Sequence, residues 1–167
     1  ARVVEALAAA EPAAIALTIL FPEPDRLAPQ AIIRSLPAPD PALAAGLARL
    51  PSGDALLAQS FASVPVVLGL ATGQAVTGPV LPLATDAGPA AWLEAHVEPL
   101  ANLPLLAAAS TGTGVVTLGT AYDRMVRQLP GAVRIAGEVV PALALEMARI
   151  GRGGPPLRLV EGSFGLE

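Results

Sequence analysis

The chain has 167 residues, of which 53% are hydrophobic and only 14% are charged, and its formal net charge is −4. This length suits one domain with its own core. The absence of cysteine excludes a disulfide framework, a thiolate nucleophile and a cysteine-ligated metal. All ten basic residues are Arg, no basic run occurs and aromatic residues make up 3%, so we expect no nucleic-acid partner.

The first elements along the chain are a helix and a buried strand. Apolar residues at helical spacing predict a helix over Arg2 to Ala10, which Glu11-Pro12 ends. A nearly continuous apolar run then ends at Pro22, and it predicts the strand Ala14–Leu20, buried on both faces. Neither this apolar run nor the later one at Val64 to Ala71 approaches the roughly 20 apolar residues that a membrane-spanning helix needs.

A proline-dense stretch from Pro22 to Pro41 follows, and we interpret most of it as loop, with one or two helical turns over Ala31 to Leu36. Asp40 precedes a proline and predicts the N-cap of a helix that continues through Leu50. Ser52 predicts a second cap, for a helix that continues through Phe61.

Val64 to Ala71 is the second strong strand, and we expect its Val66–Leu70 part to lie beside Ala14–Leu20 at the centre of a sheet. The rest of the chain gives weaker patterns. We predict a short strand near Val80 to Leu83, an irregular or helical patch over Ala90–Val97 and a helix over Pro104–Ala109. These are followed by a glycine turn at Thr111–Gly114 into the strand Val115–Leu118, a turn and strand over Tyr122–Leu129, and a hairpin-like entry from Val133 to Val139. The last elements are a helix over Pro141–Ile150, with Val140, Leu143, Ala144 and Met147 on one face, and a strand at Leu157–Val160. These elements predict a single α/β domain over residues 1–167, with a mixed, mostly parallel sheet and helices on both faces.

Catalytic and metal-binding patterns are weak. His96 is the only histidine, and no Gly-x-Ser-x-Gly elbow occurs, so a serine hydrolase is nearly excluded. One histidine without cysteine also argues against zinc. Thr111-Gly-Thr-Gly114 lacks the lysine of a phosphate loop and the third glycine of a dinucleotide fingerprint, so a turn explains it better. We therefore expect no enzyme activity, no catalytic residue, no metal and no cofactor.

The best candidate for a ligand site follows the first strand. Ligands of open α/β sheets collect outside the carboxyl ends of the strands. This rule places Thr18, Glu23 and the neighbouring Asp25 and Arg26 at such an edge. A merely solvated loop is the alternative interpretation. Asp123 and Arg127 could join the same edge, although an internal pairing of these two side chains or a turn organised by Asp123 is the structural alternative.

Three segments resemble one family. Ala14 to Arg26 is similar to its apolar strand followed by a loop rich in Pro and Asp. The family's next strand, which follows a helix, resembles Val66-Val-Leu-Gly69 after the segment Ala55–Phe61. Its Gly…Asp-Gly-x-x-Arg…Pro unit resembles Gly114 to Pro130, and the helix after that unit resembles the apolar segment Val140–Arg149. The family is the second of the CHASE families, the cyclase- and histidine-kinase-associated sensory extracellular domains.

The resemblance implies an extracytoplasmic, periplasmic sensor domain of a bacterial inner-membrane receptor. Its partners would be a small-molecule ligand, flanking transmembrane helices and a cytoplasmic output domain such as a nucleotide cyclase or a kinase, and a homodimer would be possible. A ligand-free structural or dimerisation module of the envelope is the alternative function. Where the family has an Asp in the strand, this chain has Thr18, and Ala121 and Arg124 replace an acid and a glycine of the later unit. The family's opening strand, ahead of the first helix, is also missing, which suggests a fragment of a larger receptor.

Overall fold

The computed structural model describes residues 1–72, 85–86, 93–96, 99–117, 125–126, 129–158, 161–162 and 165–166. The helices are α1 (Arg2–Ala8), α2 (Pro29–Ser35), α3 (Pro41–Ala48), α4 (Gly53–Ser60), α5 (Pro104–Ala109) and α6 (Leu143–Gly151). The strands are β1 (Ile15–Leu17), β2 (Val66–Thr72), β3 (Thr85–Asp86), β4 (Ala95–His96), β5 (Pro99–Leu100), β6 (Gly112–Val115), β7 (Ala132–Ile135), β8 (Glu138–Pro141), β9 (Leu157–Arg158), β10 (Glu161–Gly162) and β11 (Gly165–Leu166).

Side-chain caps fix the starts of α3 and α4, as the sequence predicts. The Asp40 carboxylate accepts a hydrogen bond from the Leu43 N–H at 3.0 Å. The Ser52 hydroxyl accepts one from the Ala55 N–H at 3.1 Å. Each bond satisfies an N–H group that has no partner within its helix, so local chemistry explains both boundaries.

The main sheet is built around β2. The strand β1 runs parallel to it, with Ile15 opposite Val66, and β6 runs parallel on its other edge, with Val67 opposite Gly112. The short β5 pairs antiparallel with the end of β2. The prediction that these two strands are neighbours is confirmed. Only β2 is central, however, because among the described residues β1 pairs with β2 alone and lies at an edge of the sheet. The predicted burial of the whole Ala14–Leu20 run is wrong, since Ile19 is 65% exposed.

Helices cover both faces of this sheet, which confirms that part of the predicted architecture. On one face, buried residues of α1, α4 and α5 pack against β1 and β2. This first cluster comprises Val4, Ile15, Ala58, Phe61, Val64, Val66, Leu68 and Leu106. On the other face, Leu143 and Ile150 of α6 pack against Ala14 and Val67. The alternation of β2 side chains between two apolar layers explains why its sequence is continuously apolar.

The sheets are mixed, so the expectation of a mostly parallel arrangement is not supported. The strand β7 pairs parallel with β4 but antiparallel with β8. Only Ala136 and Gly137 separate β7 from β8, and both have positive φ, at 50° and 91°. A two-residue connection of this kind permits antiparallel pairing alone, because a parallel partner needs a long crossover.

The strand β1 ends at Leu17, three residues before the predicted end at Leu20. The buried Asn102 side chain explains the difference. Its Nδ2 donates to the Gly69 carbonyl at 2.6 Å and its Oδ1 accepts from the Phe21 N–H at 2.9 Å. The amide thus stands between the chain that leaves β1 and the strand β2, where direct ladder bonds would otherwise continue.

The predicted glycine turn at Thr111–Gly114 is wrong, because β6 begins at Gly112. A Cβ added to Gly114 would collide with the backbone of Leu143, and one added to Gly112 would collide with the side chains of Glu146 and Ile150. The two glycines therefore serve as the flat surface on which α6 packs. They are strand residues that leave room for a helix.

The predicted face of the last long helix is only partly correct: Val140 and Leu143 are buried, but Val140 belongs to β8, and Ala144 is exposed. Pro141 is the last residue of β8 rather than the start of the helix, which begins at Leu143. The buried residues of α6 are Leu143, Glu146 and Ile150, whereas Met147 is 38% exposed. The later start of the helix, and the space beside Gly112 for a carboxylate, together select this face.

Several predicted elements fall wholly or partly outside the described residues. The strand near Val80 to Leu83 lies outside them, as does most of Tyr122–Leu129. Of the patch Ala90–Val97, the part at Ala95–His96 forms the strand β4 rather than a helix. The predicted last strand is described through Arg158, as β9.

We predict that Gly114→Ala lowers the free energy of unfolding by about 1–3 kcal/mol, because the methyl group must push α6 away from β6. Gly46→Ala is the matched control. It lies in α3 with nothing within 4 Å of the added Cβ, so we expect a gain of roughly 0.5–1 kcal/mol. Urea unfolding followed by circular dichroism measures both changes, and equal effects at the two positions would contradict the packing described for α6.

Candidate functional site

A cavity of about 260 Å³ opens at the carboxyl ends of β1 and β6. It is lined by Thr18, Val115, Val116, Thr117, Leu129, Pro130, Val133, Ala142, Leu143 and Ala144. Its walls therefore come from the ends of two strands, the start of β7 and the first turn of α6. This position matches the edge at which open α/β sheets bind ligands.

Gly69 creates the space in which the two strand ends approach each other. A Cβ at Gly69 would lie 2.8 Å from Val116 Cγ1 and 3.4 Å from Thr18 Cα. The missing side chain thus lets residues that follow β1 and β6 meet over β2. A larger residue at this position would displace the floor of the cavity.

The lining is mostly apolar, with two hydroxyl groups. The Thr117 hydroxyl oxygen accepts a hydrogen bond from the Thr72 N–H at 2.7 Å. Thr18 is exposed and carries the second hydroxyl. Ala142 stands at the N-cap of α6, where it supplies no side-chain acceptor. The described lining can hold a small, largely apolar molecule, and threonine hydroxyls can donate or accept a hydrogen bond.

Of the predicted site residues, the structure brings Thr18 into this cavity. Glu23 and Arg26 lie on the following loop, where they form an exposed ion pair at 2.8 Å. The hydrogen bond from Arg26 to Glu23, together with the carboxylate charge, raises the pKa of Arg26. Asp123 and Arg127 lie outside the described residues.

Asp25 has structural partners. Its Oδ1 accepts a hydrogen bond from the Leu27 N–H at 2.9 Å, and its own N–H donates to Asp54 Oδ2 at 2.9 Å. The other carboxylate oxygen lies against Gly53, the first residue of α4. These contacts fasten the loop to a helix on the sheet face opposite α6. Glu23, Asp25 and Arg26 are therefore not among the residues that line the cavity.

Sequence reasoning missed Asn102, which holds the carboxyl edge of the sheet together. The residue is 4% exposed and both polar ends of its amide are satisfied by backbone groups of Phe21 and Gly69. One signal was present in the sequence. A single amide stands in the otherwise apolar stretch from Leu100 to Leu106, and a buried polar residue of this kind requires partners.

Sequence reasoning also missed the buried ion pair of α6. Arg149 Nε and Nη2 each donate to one oxygen of Glu146 at 2.7 Å, and the carboxylate side chain is 6% exposed. The hydrogen bond to Glu146 raises the pKa of Arg149, while burial opposes that rise. The signal was the three-residue spacing of Glu and Arg within a predicted helix.

His96 shows no metal or catalytic arrangement within the described part of the chain. Its Nε2 lies 3.5 Å from Glu94 Oε1, and the side chain is 21% exposed. No group of three or more His, Cys, Asp or Glu side chains that could hold a metal occurs among the described residues. The expectation of no metal remains a prediction for the whole chain.

A family model described as the CHASE2 domain matches residues 1–160. This match confirms the resemblance found in the sequence. No curated protein and no solved structure matches the chain. Within the described ranges, no helix has the length and apolar character needed to cross a membrane.

We predict that Arg149→Met lowers the free energy of unfolding by roughly 3–5 kcal/mol, because it leaves the Glu146 carboxylate buried without a counter-ion. The double variant Glu146→Met/Arg149→Met should recover most of this loss, since it removes both charges. Arg26→Met is the control. It breaks an ion pair of the same residue types at the same spacing, but in solvent, and should leave the unfolding midpoint unchanged. Equal losses from Arg149→Met and the double variant would contradict the role given to the unpaired charge.

Proposed function

The chain belongs to the CHASE2 family, and from this membership we propose that it is the ligand-input domain of a bacterial transmembrane signalling receptor. CHASE2 domains are sensory extracellular domains rather than catalytic ones. In the proposed receptor, the domain lies in the periplasm and biases a cytoplasmic nucleotide cyclase or kinase through flanking transmembrane helices. The single observation that carries this function is the family match over residues 1–160.

The cavity beside Thr18 supports a ligand-binding role. It is concave, lies at the carboxyl edge of parallel strands and combines an apolar lining with a few polar groups. These are the general properties of small-molecule sites. We propose that the ligand binds there, with the charged loop that carries Glu23, Asp25 and Arg26 outside it. Asp123 and Arg127 remain candidates for the same edge on the sequence argument.

The helix α6 offers a route from the cavity to the C-terminal part of the chain. Its first turn supplies Leu143 and Ala144 to the lining. In its last turn, Arg149 Nη1 donates to the carbonyl oxygens of Gly154 and Pro155, at 3.0 and 3.4 Å. A ligand that shifts the first turn would move a rigid helix whose other end holds the segment leading to β9. We propose this movement as the conformational signal.

A ligand-free dimerisation module is the second candidate. It is favoured by large apolar side chains that face solvent on α1 and on two loops. Val3 is 70% exposed, Ile19 65% and Leu27 78%. Such residues can belong to an interface between protein chains. This function predicts self-association and no response to small molecules.

We predict that the chain binds at least one compound from a panel of small organic acids, ketones, sugars, amino acids and nucleotides. At 100 times the dissociation constant, binding stabilises the folded state by about 2.7 kcal/mol, which corresponds to a rise in Tm of roughly 5–10 °C for a domain of this size. Differential scanning fluorimetry measures the rise, and Asp25→Ala and Arg127→Ala test the charged candidates. If either variant keeps its unliganded Tm but loses the rise, the ligand contacts that side chain.

Sedimentation of the same chain separates the two candidate functions. A saturable rise in Tm with a monomer, or with a dimer whose affinity changes on ligand addition, supports the sensor. A reversible dimer with no stabilising compound in the panel favours the structural module. In that case the cavity would have no role in signalling.

A further inference from the structure

The helix α3 consists only of Pro, Ala, Leu and Gly, yet none of its residues is buried. A helix that is apolar on all sides normally lies inside a protein. The helix α2 packs on one side of it, which the half-buried Ala44 and Leu47 mark. Leu43, and Leu50 in the turn after the helix, are 48% and 53% exposed. Within the described part of the chain, the other side of α3 thus has no partner.

Gly46, in the middle of α3, has no role within the described fold. Its φ is not positive, so its backbone conformation does not require glycine. Nothing outside the helix lies within 4 Å of a Cβ added at this position, so no described neighbour needs the space. Glycine weakens a helix relative to alanine, and its use is to let another group approach the backbone closely. That group would have to come from outside the described residues.

The exposed side of α3 is complementary to itself. Pro39, Leu43, Gly46 and Leu50 follow one another at intervals of four, three and four residues, which places them on one side of a helix. The helical turn continues past α3, since the Leu50 N–H donates to the Leu47 carbonyl at 3.0 Å. When two copies lie antiparallel across a two-fold axis, Leu43 of one comes level with Gly46 of the other. In the same register, Pro39 comes level with Leu50.

The charges at the two ends of α3 favour this antiparallel orientation. Asp40 precedes the helix and Arg49 follows it, and both are exposed. Among the described residues, Arg49 forms no ion pair. The register that brings Leu43 level with Gly46 also brings Asp40 of each copy level with Arg49 of the other. Opposite charges placed in this way fix the orientation of a contact, whereas a parallel pair would bring like charges together.

We propose that α3 is the surface through which two copies of this chain pair, antiparallel and across a two-fold axis. Leu43 of each copy packs over Gly46 of the other, where no side chain stands in the way. The described lining of the cavity includes no residue of α3, so this pairing goes beyond the proposed sensor function and does not depend on a ligand. One short helix from each copy makes a contact smaller than the usual interface of about 1,600 Å². The pair is therefore weak, with a Kd on the order of 0.1–1 mM.

The oligomeric state of the full chain tests the proposal, at concentrations from about 0.02 to 2 mM that span this Kd. Sedimentation velocity should show the mass rising from 16.7 kDa towards that of a dimer. The ¹H–¹⁵N NMR spectra should show concentration-dependent shifts of the Leu43, Gly46 and Leu50 amides. A chain that keeps the monomer mass throughout overturns the pairing, and shifts that leave α3 unaffected overturn the surface.

A matched pair of variants locates the contact. Leu43→Glu and Ala45→Glu each add one negative charge to an exposed position of α3, but Ala45 lies outside the stripe that carries Leu43. We expect Leu43→Glu to weaken pairing at least about tenfold, because it places an unpaired charge against the other copy. Ala45→Glu should change Kd by less than about twofold, as surface substitutions usually do. Equal effects of the two variants would overturn the register.

Gly46→Ala separates pairing from helix stability. At low micromolar concentrations, where the chain is a monomer, it should strengthen α3. In the dimer, the added methyl group meets Leu43 of the other copy, and we expect Kd to rise roughly fivefold or more. A Gly46→Ala variant that pairs as well as the original chain contradicts the close approach at Gly46. This variant also decides the proposal if Leu43→Glu fails to fold.

Two other occupants of the surface give different results. A segment of the same chain that covers α3 leaves a monomer at every concentration. A lipid surface gives a monomer that binds phosphatidylcholine vesicles and loses this binding in Leu43→Glu. Either result overturns the pairing of two copies, and neither bears on whether the cavity binds a ligand.

Discussion

The close contact between α6 and β6 is the packing constraint on which the rest of the described structure depends. Gly112 and Gly114 leave no side chain between the strand and the helix, so the helix backbone rests on the strand. This contact sets the first turn of α6 at the carboxyl edge of the sheet, where it forms one wall of the cavity. It also determines which α6 residues are buried. Without those two glycines, the helix would have to stand further from the sheet and the cavity would change shape.

The contact between α6 and β6 also buries a charged side chain, which an ion pair compensates. Glu146 lies against Gly112 and is 4% exposed, a position that would be strongly destabilising for a lone carboxylate. Arg149 binds both of its oxygens and still reaches the carbonyls of Gly154 and Pro155. A chain with only 14% charged residues thus places one of its ion pairs inside, where the pair links the helix to the segment that follows it.

Asp25 and Asn102 are polar residues at the carboxyl edge of the sheet whose hydrogen bonds are structural. Both lie near the end of β1, and both are held by hydrogen bonds to the protein itself. A polar residue at the ligand-binding edge of a sheet is therefore not by its position a ligand residue. Thr117 also accepts a hydrogen bond from the protein, from the Thr72 N–H, but it lies among the residues that line the cavity.

Local patterns were enough to predict that β1 and β2 are strands, the capped helices that start after Asp40 and Ser52, the short helix α5 and the family, since caps, prolines and apolar periodicity act over a few residues. The early end of β1 could not be read in this way, because Asn102 comes from 85 positions further along the chain than Leu17. Local patterns also could not predict that Gly112 to Gly114 form a strand or that Glu146 is buried. Both features depend on packing between β6 and α6, which the β7–β8 hairpin separates along the chain. Thr18 could be placed at the carboxyl edge from its position after an apolar run. The identity of its neighbours in the cavity depended on non-local packing, in which a missing side chain at Gly69 lets two strand ends meet.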